Sequence, residues 1–104
     1  HPRLAVTQSN LARVLGDLGK YEAAEILLRE ALETELKIYE PEHPTLATTK
    51  HNLAKLLKDM GKDDEAIQLE QEAYNIRVAC LGADHPHTKI AKGNLDKWRA
   101  LPES

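Results

Sequence analysis

The feature that most constrains the fold of this 104-residue chain is an internal repeat with a period of 42 residues. The dipeptide His-Pro recurs with that spacing, at His1, His43 and His85. When residues 1–42 are aligned with residues 43–84, 16 positions are identical. Such a period is typical of repeat proteins, in which each unit buries its apolar face against its neighbours. The sequence therefore predicts a single domain over residues 1–104, with units 1–42 and 43–84 and a partial unit 85–104.

Each full unit is predicted to form two helices. In the first, side chains of one helical face recur at steps of three and four, at Leu4, Thr7, Leu11, Leu15 and Leu18. Gly19 and Gly61 are predicted to end helices, since glycine adopts the left-handed C′ conformation at little cost. The second helix is expected to face inward with Tyr21, Ala24, Leu27, Leu28, Ala31 and Leu32. With one more helix after His85, the pattern predicts an all-α fold of five helices, two hairpins and a terminal helix.

Small residues recur in register and predict close helix contacts, although helix propensity alone would also favour alanine. The pairs are Ala12/Ala54, Ala24/Ala66 and Ala31/Ala73. In the partial unit the first of these positions becomes Asp96, which predicts a more solvated, cap-like helix or a boundary within the array. Trp98 either covers the edge of the core or marks where a further helix docks, and an open apolar edge is expected beyond it.

Composition and charge exclude several functional classes. The net charge is −3, which argues against nucleic acid as a partner. No apolar run is long enough to span a bilayer and no signal peptide is evident, so a cytoplasmic protein without membrane contact is predicted. Cys80 has no cysteine partner and is expected to be a small buried residue. The chain opens with His1 instead of methionine, which suggests a fragment of a longer protein.

Neither an enzyme nor a metal or cofactor site is predicted. The chain contains no recognised catalytic or phosphate-binding motif. Three of the five histidines open the repeat units, which gives their recurrence a structural explanation. His85 and His87 alone form a weak chelating pair, without a cysteine or carboxylate cluster nearby in sequence.

One string of residues resembles a known family. Asn10-Leu11-Ala12, followed by Gly19-Lys20-Tyr21 and Ala24, resembles the tetratricopeptide repeat. The 42-residue spacing and the opening His-Pro are similar to the longer variety found in kinesin light chains. The second unit departs from the pattern at Asp63 and Glu70, where the first has Tyr21 and Leu28. The resemblance implies a right-handed α-α superhelix in which the first helix of each unit lines a concave groove.

Charge is divided between the two kinds of helix. The first helices carry nine Lys/Arg and three Asp, a sum of +6, whereas the second helices carry five Lys/Arg and eleven Asp/Glu, a sum of −6. On the first helices, an asparagine and a basic residue three positions later recur in every unit and share a helical face. The predicted groove residues are Asn10, Arg13, His51, Asn52, Lys55, Lys58, Asn94 and Lys97.

These side chains suit an extended, acidic peptide. An amide can both donate to and accept from a peptide backbone, and a cation forms charge-assisted hydrogen bonds with carboxylates. The predicted function is therefore a non-catalytic protein–protein interaction scaffold. Two other interpretations are possible. In the first, the basic residues form an ordinary solvated face or balance the charge of the acidic helices. In the second, the segment self-associates as a homodimer through exposed helix faces at its ends.

Overall fold

The computed structural model describes the backbone of residues 2–100 and the side chains of residues 7–100. Over this range the chain forms five α-helices and no strand, as predicted. They are α1 (Pro2–Asp17), α2 (Tyr21–Ile38), α3 (Pro44–Asp59), α4 (Asp63–Leu81) and α5 (Pro86–Arg99). No helix in the described part of the chain is long and apolar enough to cross a membrane.

The recurring glycines and histidines set the helix boundaries. Gly19 and Gly61 have φ angles of 81° and 83°, in the left-handed region that glycine tolerates. The amide of Lys20 donates to the carbonyl of Leu15 at 2.8 Å, which closes a Schellman motif after α1. At the starts of α3 and α5, Nδ1 of His43 and of His85 accepts a hydrogen bond from the backbone N–H two residues later, at 3.1 Å in both cases. The histidines of these two His-Pro pairs are therefore N-caps.

The helices form hairpins that stack in chain order. α1 packs on α2 and α3 on α4, while α2 also contacts α3 and α4 contacts α5. One core cluster joins Ala24 and Leu28 of α2 to Leu53 and Leu57 of α3. All six alanines of the predicted pairs are buried, as positions at close helix contacts are expected to be.

Exposure at the first hairpin differs from the prediction for several residues. Leu11 is 49% exposed and Leu18 is 67% exposed. Thr7 and Tyr21 are also exposed. The side chain of Leu4 lies outside the range that the structure describes. The corresponding face of α3 is covered by α2, but none of the described residues covers this face of α1. Repeat periodicity identifies a helical face without showing whether a neighbour packs on it.

Residues 101–104 lie outside the described range, so the expected apolar edge beyond Trp98 stays a prediction. Trp98 is half-buried and packs against the core. On α3, the face that packs on α4 includes Ala47, Ala54 and Leu57, all fully buried. The equivalent residues of α5 are charged and exposed, namely Lys89, Asp96 and Arg99. α5 therefore has a solvated face, as Asp96 indicated.

Cys80 is exposed, which overturns its predicted burial. Its position near the end of α4 places it beside the loop between the hairpins. There its Sγ donates to the backbone carbonyl of Glu42 at 3.2 Å.

The alanine contacts lead to a first prediction. Ala31 is fully buried, so Ala31→Leu should overpack the contact and lower the free energy of unfolding by about 1–3 kcal/mol. Ala23→Leu on the same helix is the control, because Ala23 is exposed and its enlargement displaces no neighbour. Urea denaturation followed by circular dichroism measures both variants. Equal midpoints for the two would contradict the observed packing.

Candidate functional site

Two equivalent clefts run between the first helices of the units. The first cleft, between α1 and α3, is lined by Arg13, Gly16, Asp17, Asn52, Lys55 and Leu56, with Ala12, Leu28 and Asp59. The second cleft, between α3 and α5, is lined by Lys55, Lys58, Asp59, Asn94, Lys97 and Trp98. The first six residues of the first cleft correspond, at a distance of 42 positions, to the six of the second. Together these clefts form one surface, called here the groove.

Six of the eight predicted site residues line the groove, and a seventh, Asn10, lies in an adjoining depression. Asn10 joins Arg13 and Asn52 in a further depression between α1 and α3, which also includes Ser9, Glu35, Thr45, Thr48 and Thr49. Lys55 borders both main clefts and connects them. His51 is the exception, since it is not among the residues that line these clefts.

Three basic residues of the groove have free charged groups. Arg13, Lys55 and Lys97 are exposed, and none of them forms an ion pair with a residue of the described range. Lys58 differs, because its Nζ lies 3.2 Å from the Asp63 carboxylate. Arg13, Lys55 and Lys97 are therefore available to an incoming anion.

A row of carboxylates lies beside this row of cations. Asp17 and Asp59 follow Arg13 and Lys55 by one helical turn and border the same clefts. The groove thus presents amides, then cations, then carboxylates across its width. An acidic ligand is favoured on the amide side of the cations and repelled on the carboxylate side.

The asparagines of the two clefts have different surroundings. Asn94 Nδ2 donates to Glu70 Oε2 at 2.7 Å, so its amide is held by a buried carboxylate. His51 Nδ1 lies 2.9 Å from both carboxylate oxygens of the same residue. Glu70 thus ties α4 to both α3 and α5. Asn52, in the first cleft, has Leu28 at the position equivalent to Glu70.

The floors of the two clefts also differ. Gly16 and Leu28 give the first cleft an apolar floor, and a Cβ added at Gly16 would lie 3.4 Å from Leu56 Cδ1. At the equivalent positions the second unit has Lys58 and Glu70. The first cleft therefore suits a small apolar side chain better than the second.

Buried charges next to the groove have shifted pKa values. Burial raises the pKa of Glu35, whose carboxylate accepts a hydrogen bond from the Thr49 hydroxyl. Burial lowers the pKa of Arg77, and the negative charge of Glu70 opposes that shift. Arg77 also donates to the His87 carbonyl at 3.4 Å. Glu35 thus connects α2 to α3, and Arg77 connects α4 to α5.

A second charged network crosses from the first hairpin to the second. Arg29 donates to Glu25 at 2.8 Å and to Glu65 at 2.7 Å, and Lys62 Nζ lies 3.3 Å from Glu25. The hydrogen bond from Arg29 is the main reason that the pKa of Glu25 is lowered. This partly exposed network links α2 to the start of α4.

No group of three or more potential metal ligands is present among the described residues. The imidazoles of His85 and His87 are stacked, with ring centroids 5.2 Å apart. Nδ1 of His85 accepts the N-cap hydrogen bond, which leaves only Nε2 of this ring to bind a metal.

Sequence reasoning missed the carboxylate row and the apolar floor. Asp17 and Asp59 are identical in the two units, so their recurrence was the available signal. Gly16 gave no such signal, since its equivalent is Lys58. Gly16 matters to the first cleft because it lies close to the side chain of Leu56 on α3.

Comparisons with known proteins agree with this architecture. Two solved structures of a Podosopora anserina protein, described as a kinesin light chain with nearly identical TPR-like repeats, superpose with a TM-score of 0.83 and 26% sequence identity. One of them is a single-substitution variant. The match covers 94% of the present chain but spans only 46% of each of those chains. No curated protein matches the sequence significantly. The family model described as "Tetratricopeptide repeat" matches residues 3–79, and the chain therefore belongs to the tetratricopeptide repeat family.

Proposed function

We propose that this chain is a non-catalytic binding module that holds an extended acidic peptide along the groove. Tetratricopeptide repeats generally mediate protein–protein interactions, which supports a protein partner. The observation that carries the proposal is the row formed by Arg13, Lys55 and Lys97. These exposed cations lie in register on α1, α3 and α5, the first helices of successive units, and none of them forms an ion pair with a described residue.

The neighbouring amides support an extended backbone as ligand. Asn10, Asn52 and Asn94 lie one turn before the three cations and border the same surface. Each amide carries both donors and an acceptor, so a peptide backbone running along the row can be recognised without sequence preference. Specificity then comes from acidic side chains at the cations and from a small apolar side chain over Gly16.

The direct test is titration of a fluorescent Glu/Asp-rich peptide library with the native chain, monitored by anisotropy. A matched library in which Gln and Asn replace the acids is the control for backbone binding alone. We expect the acidic library to bind more tightly, and its advantage to shrink as salt rises, since exposed charges are screened within about 10 Å at 0.1 M salt. Equal affinities for the two libraries would refute the acidic partner.

The carboxylate row provides a gain-of-binding prediction. Asp17→Asn together with Asp59→Asn removes two repulsive charges from the groove borders and should strengthen acidic-peptide binding roughly three- to tenfold. Both residues are exposed, so stability should change little. The matched control, which removes the same number of charges, is Asp64→Asn together with Asp84→Asn, at exposed positions that border none of these clefts. An equal gain in the control would show that net charge alone controls binding.

Self-association through exposed helix faces remains the alternative. The observation that favours it is the exposed apolar side of α1, with Leu11, Val14 and Leu18. Sedimentation velocity over a concentration series distinguishes the two functions. A monomer that binds acidic peptides supports the groove, whereas a dimer without such binding supports self-association.

A further inference from the structure

The depression that Asn10 shares with Arg13 and Asn52, between α1 and α3, is called here the polar depression. Every described side chain that lines it is polar, and the set comprises hydroxyls, amides, one guanidinium and one carboxylate. The carboxylate belongs to Glu35 of α2, which is only 2% exposed although it lines the polar depression. The guanidinium belongs to Arg13, which is exposed and also lines the first cleft. A buried acid thus lies beside the row of cations.

Two polar atoms of residues that line the polar depression lack partners within the described part of the chain. Ser9 Oγ is buried and forms no hydrogen bond with a described residue. Glu35 Oε1 accepts from the Thr49 hydroxyl, whereas Glu35 Oε2 forms no hydrogen bond with another described residue. Because a buried polar atom without a partner is costly, a ligand that bonds to these two atoms gains affinity.

The second unit satisfies the equivalent position from within the chain. His51 stands 42 positions after Ser9, and its Nδ1 lies 2.9 Å from both carboxylate oxygens of Glu70. The first unit has Leu28 where the second has Glu70, so an apolar side chain takes the place of that acceptor. The first unit therefore leaves to a ligand the hydrogen bonds that the second unit makes internally.

A neutral group that both donates and accepts suits these surroundings best. Arg13 repels a cation that enters from the groove, and the carboxylate of Glu35 repels an acidic side chain. A carboxamide avoids both repulsions. Its NH2 group can donate to Glu35, while its oxygen can accept from Arg13 or from the Ser9 hydroxyl. Glutamine and asparagine are the side chains that carry this group.

We infer that the polar depression binds a glutamine or asparagine side chain of the peptide in the groove, and that Glu35 determines this specificity. This specificity rests on the proposed function, since a peptide must first occupy the groove. The second unit has Arg77 at the position equivalent to Glu35, and both residues are buried. The buried charges at the two ends of the groove therefore have opposite signs, and a carboxamide at the Glu35 end also orients the peptide.

The test uses acidic peptide libraries that differ only at one fixed central position, which is Gln, Leu, Lys or Glu. We expect the Gln library to bind the native chain about tenfold more tightly than the Leu library, since it gains two hydrogen bonds. Fluorescence anisotropy measures the affinities. Nuclear Overhauser effects between the side-chain amide protons of the peptide and the methyl groups of Thr45 and Thr48 should locate the glutamine.

The double variant Glu35→Met/Thr49→Val should abolish the preference for Gln over Leu. It replaces both members of a buried hydrogen bond with apolar side chains and leaves neither unsatisfied, so the fold should persist, which circular dichroism checks. Lys50→Met/Glu72→Met is the matched control, because this ion pair joins α3 to α4 and does not line the polar depression. Ser9→Ala is a second variant that breaks no hydrogen bond with a described residue, and it should lower the preference in part.

The outcomes distinguish this specificity from the proposed function. If no library binds, both are refuted. If the four libraries bind equally and uncharged peptides bind weakly, the groove function stands and the carboxamide specificity is overturned. A preference for Lys or Glu at the fixed position would also overturn it, as would a preference for Gln that the folded double variant retains. If the double variant unfolds, an unchanged preference in Ser9→Ala overturns it.

Discussion

Reversing Arg13, Lys55 and Lys97 to Glu should weaken the binding of an acidic peptide by roughly tens- to hundreds-fold at low salt. Each exposed pair contributes only about 0.2–1 kcal/mol, but the triple change removes three attractive interactions and adds three repulsive ones. The effect should diminish as ionic strength rises. Titration of the acidic peptide library against the native chain and the triple variant measures the loss of affinity.

Folding should survive this triple reversal. The three side chains are exposed, and glutamate has a helix propensity close to those of lysine and arginine. A charge-matched control reverses Lys20, Lys37 and Lys89, which are exposed residues that do not border the two main clefts. Equal peptide binding by native and groove-reversed chains would refute the acidic-peptide function. A loss of helicity in the groove-reversed chain would instead identify the cations as counter-charges to the acidic second helices.

The largest effect on stability is expected at Glu70. Glu70→Ala should lower the free energy of unfolding by about 3–5 kcal/mol, because it removes a buried carboxylate from its partners. His51 and Asn94 would lose their hydrogen-bond partner, and the buried Arg77 would lose a nearby opposite charge. Urea denaturation monitored by circular dichroism measures the change.

Two further variants separate the contributions at this site. Glu70→Gln keeps an oxygen that can accept from Asn94 but removes the charge, so an intermediate loss is expected. Glu72→Ala is the matched control two residues along α4, where Glu72 pairs with Lys50 at 2.9 Å and is partly exposed. That change should cost less than about 1 kcal/mol. If Glu70→Ala and Glu72→Ala lowered the free energy of unfolding by similar amounts, burial of Glu70 would not explain its contribution to stability.

The helices and their order were predictable because the signals are local. Apolar spacing and the glycines at positions 19 and 61 define each helix within a short stretch of chain. The recurrence of Asn and Lys or Arg in register then identified one helical face. Stacking of the units brought those residues to one surface, as repeat geometry requires.

The polar network under the second cleft was not predictable in the same way. Glu70 bonds to His51 and Asn94, which lie 19 and 24 residues away on other helices. The sequence showed only that Leu28 of the first unit is replaced by Glu70 in the second. Whether such a change leaves a residue exposed or buried with partners depends on the packing of three helices. Likewise, the exposure of Leu11 depends on whether another helix packs on α1, which the sequence of α1 does not show.

The opposite charges of the two kinds of helix also affect how quickly a partner arrives. Basic first helices border the groove, whereas the second helices are acidic, so charge is separated between helices of each hairpin. The resulting dipole should turn the groove toward an approaching anion before any contact forms. Electrostatic steering raises the association rate and is sensitive to salt, while dissociation depends mainly on short-range contacts. Stopped-flow measurements should therefore show an association rate that falls with salt more steeply than the dissociation rate changes.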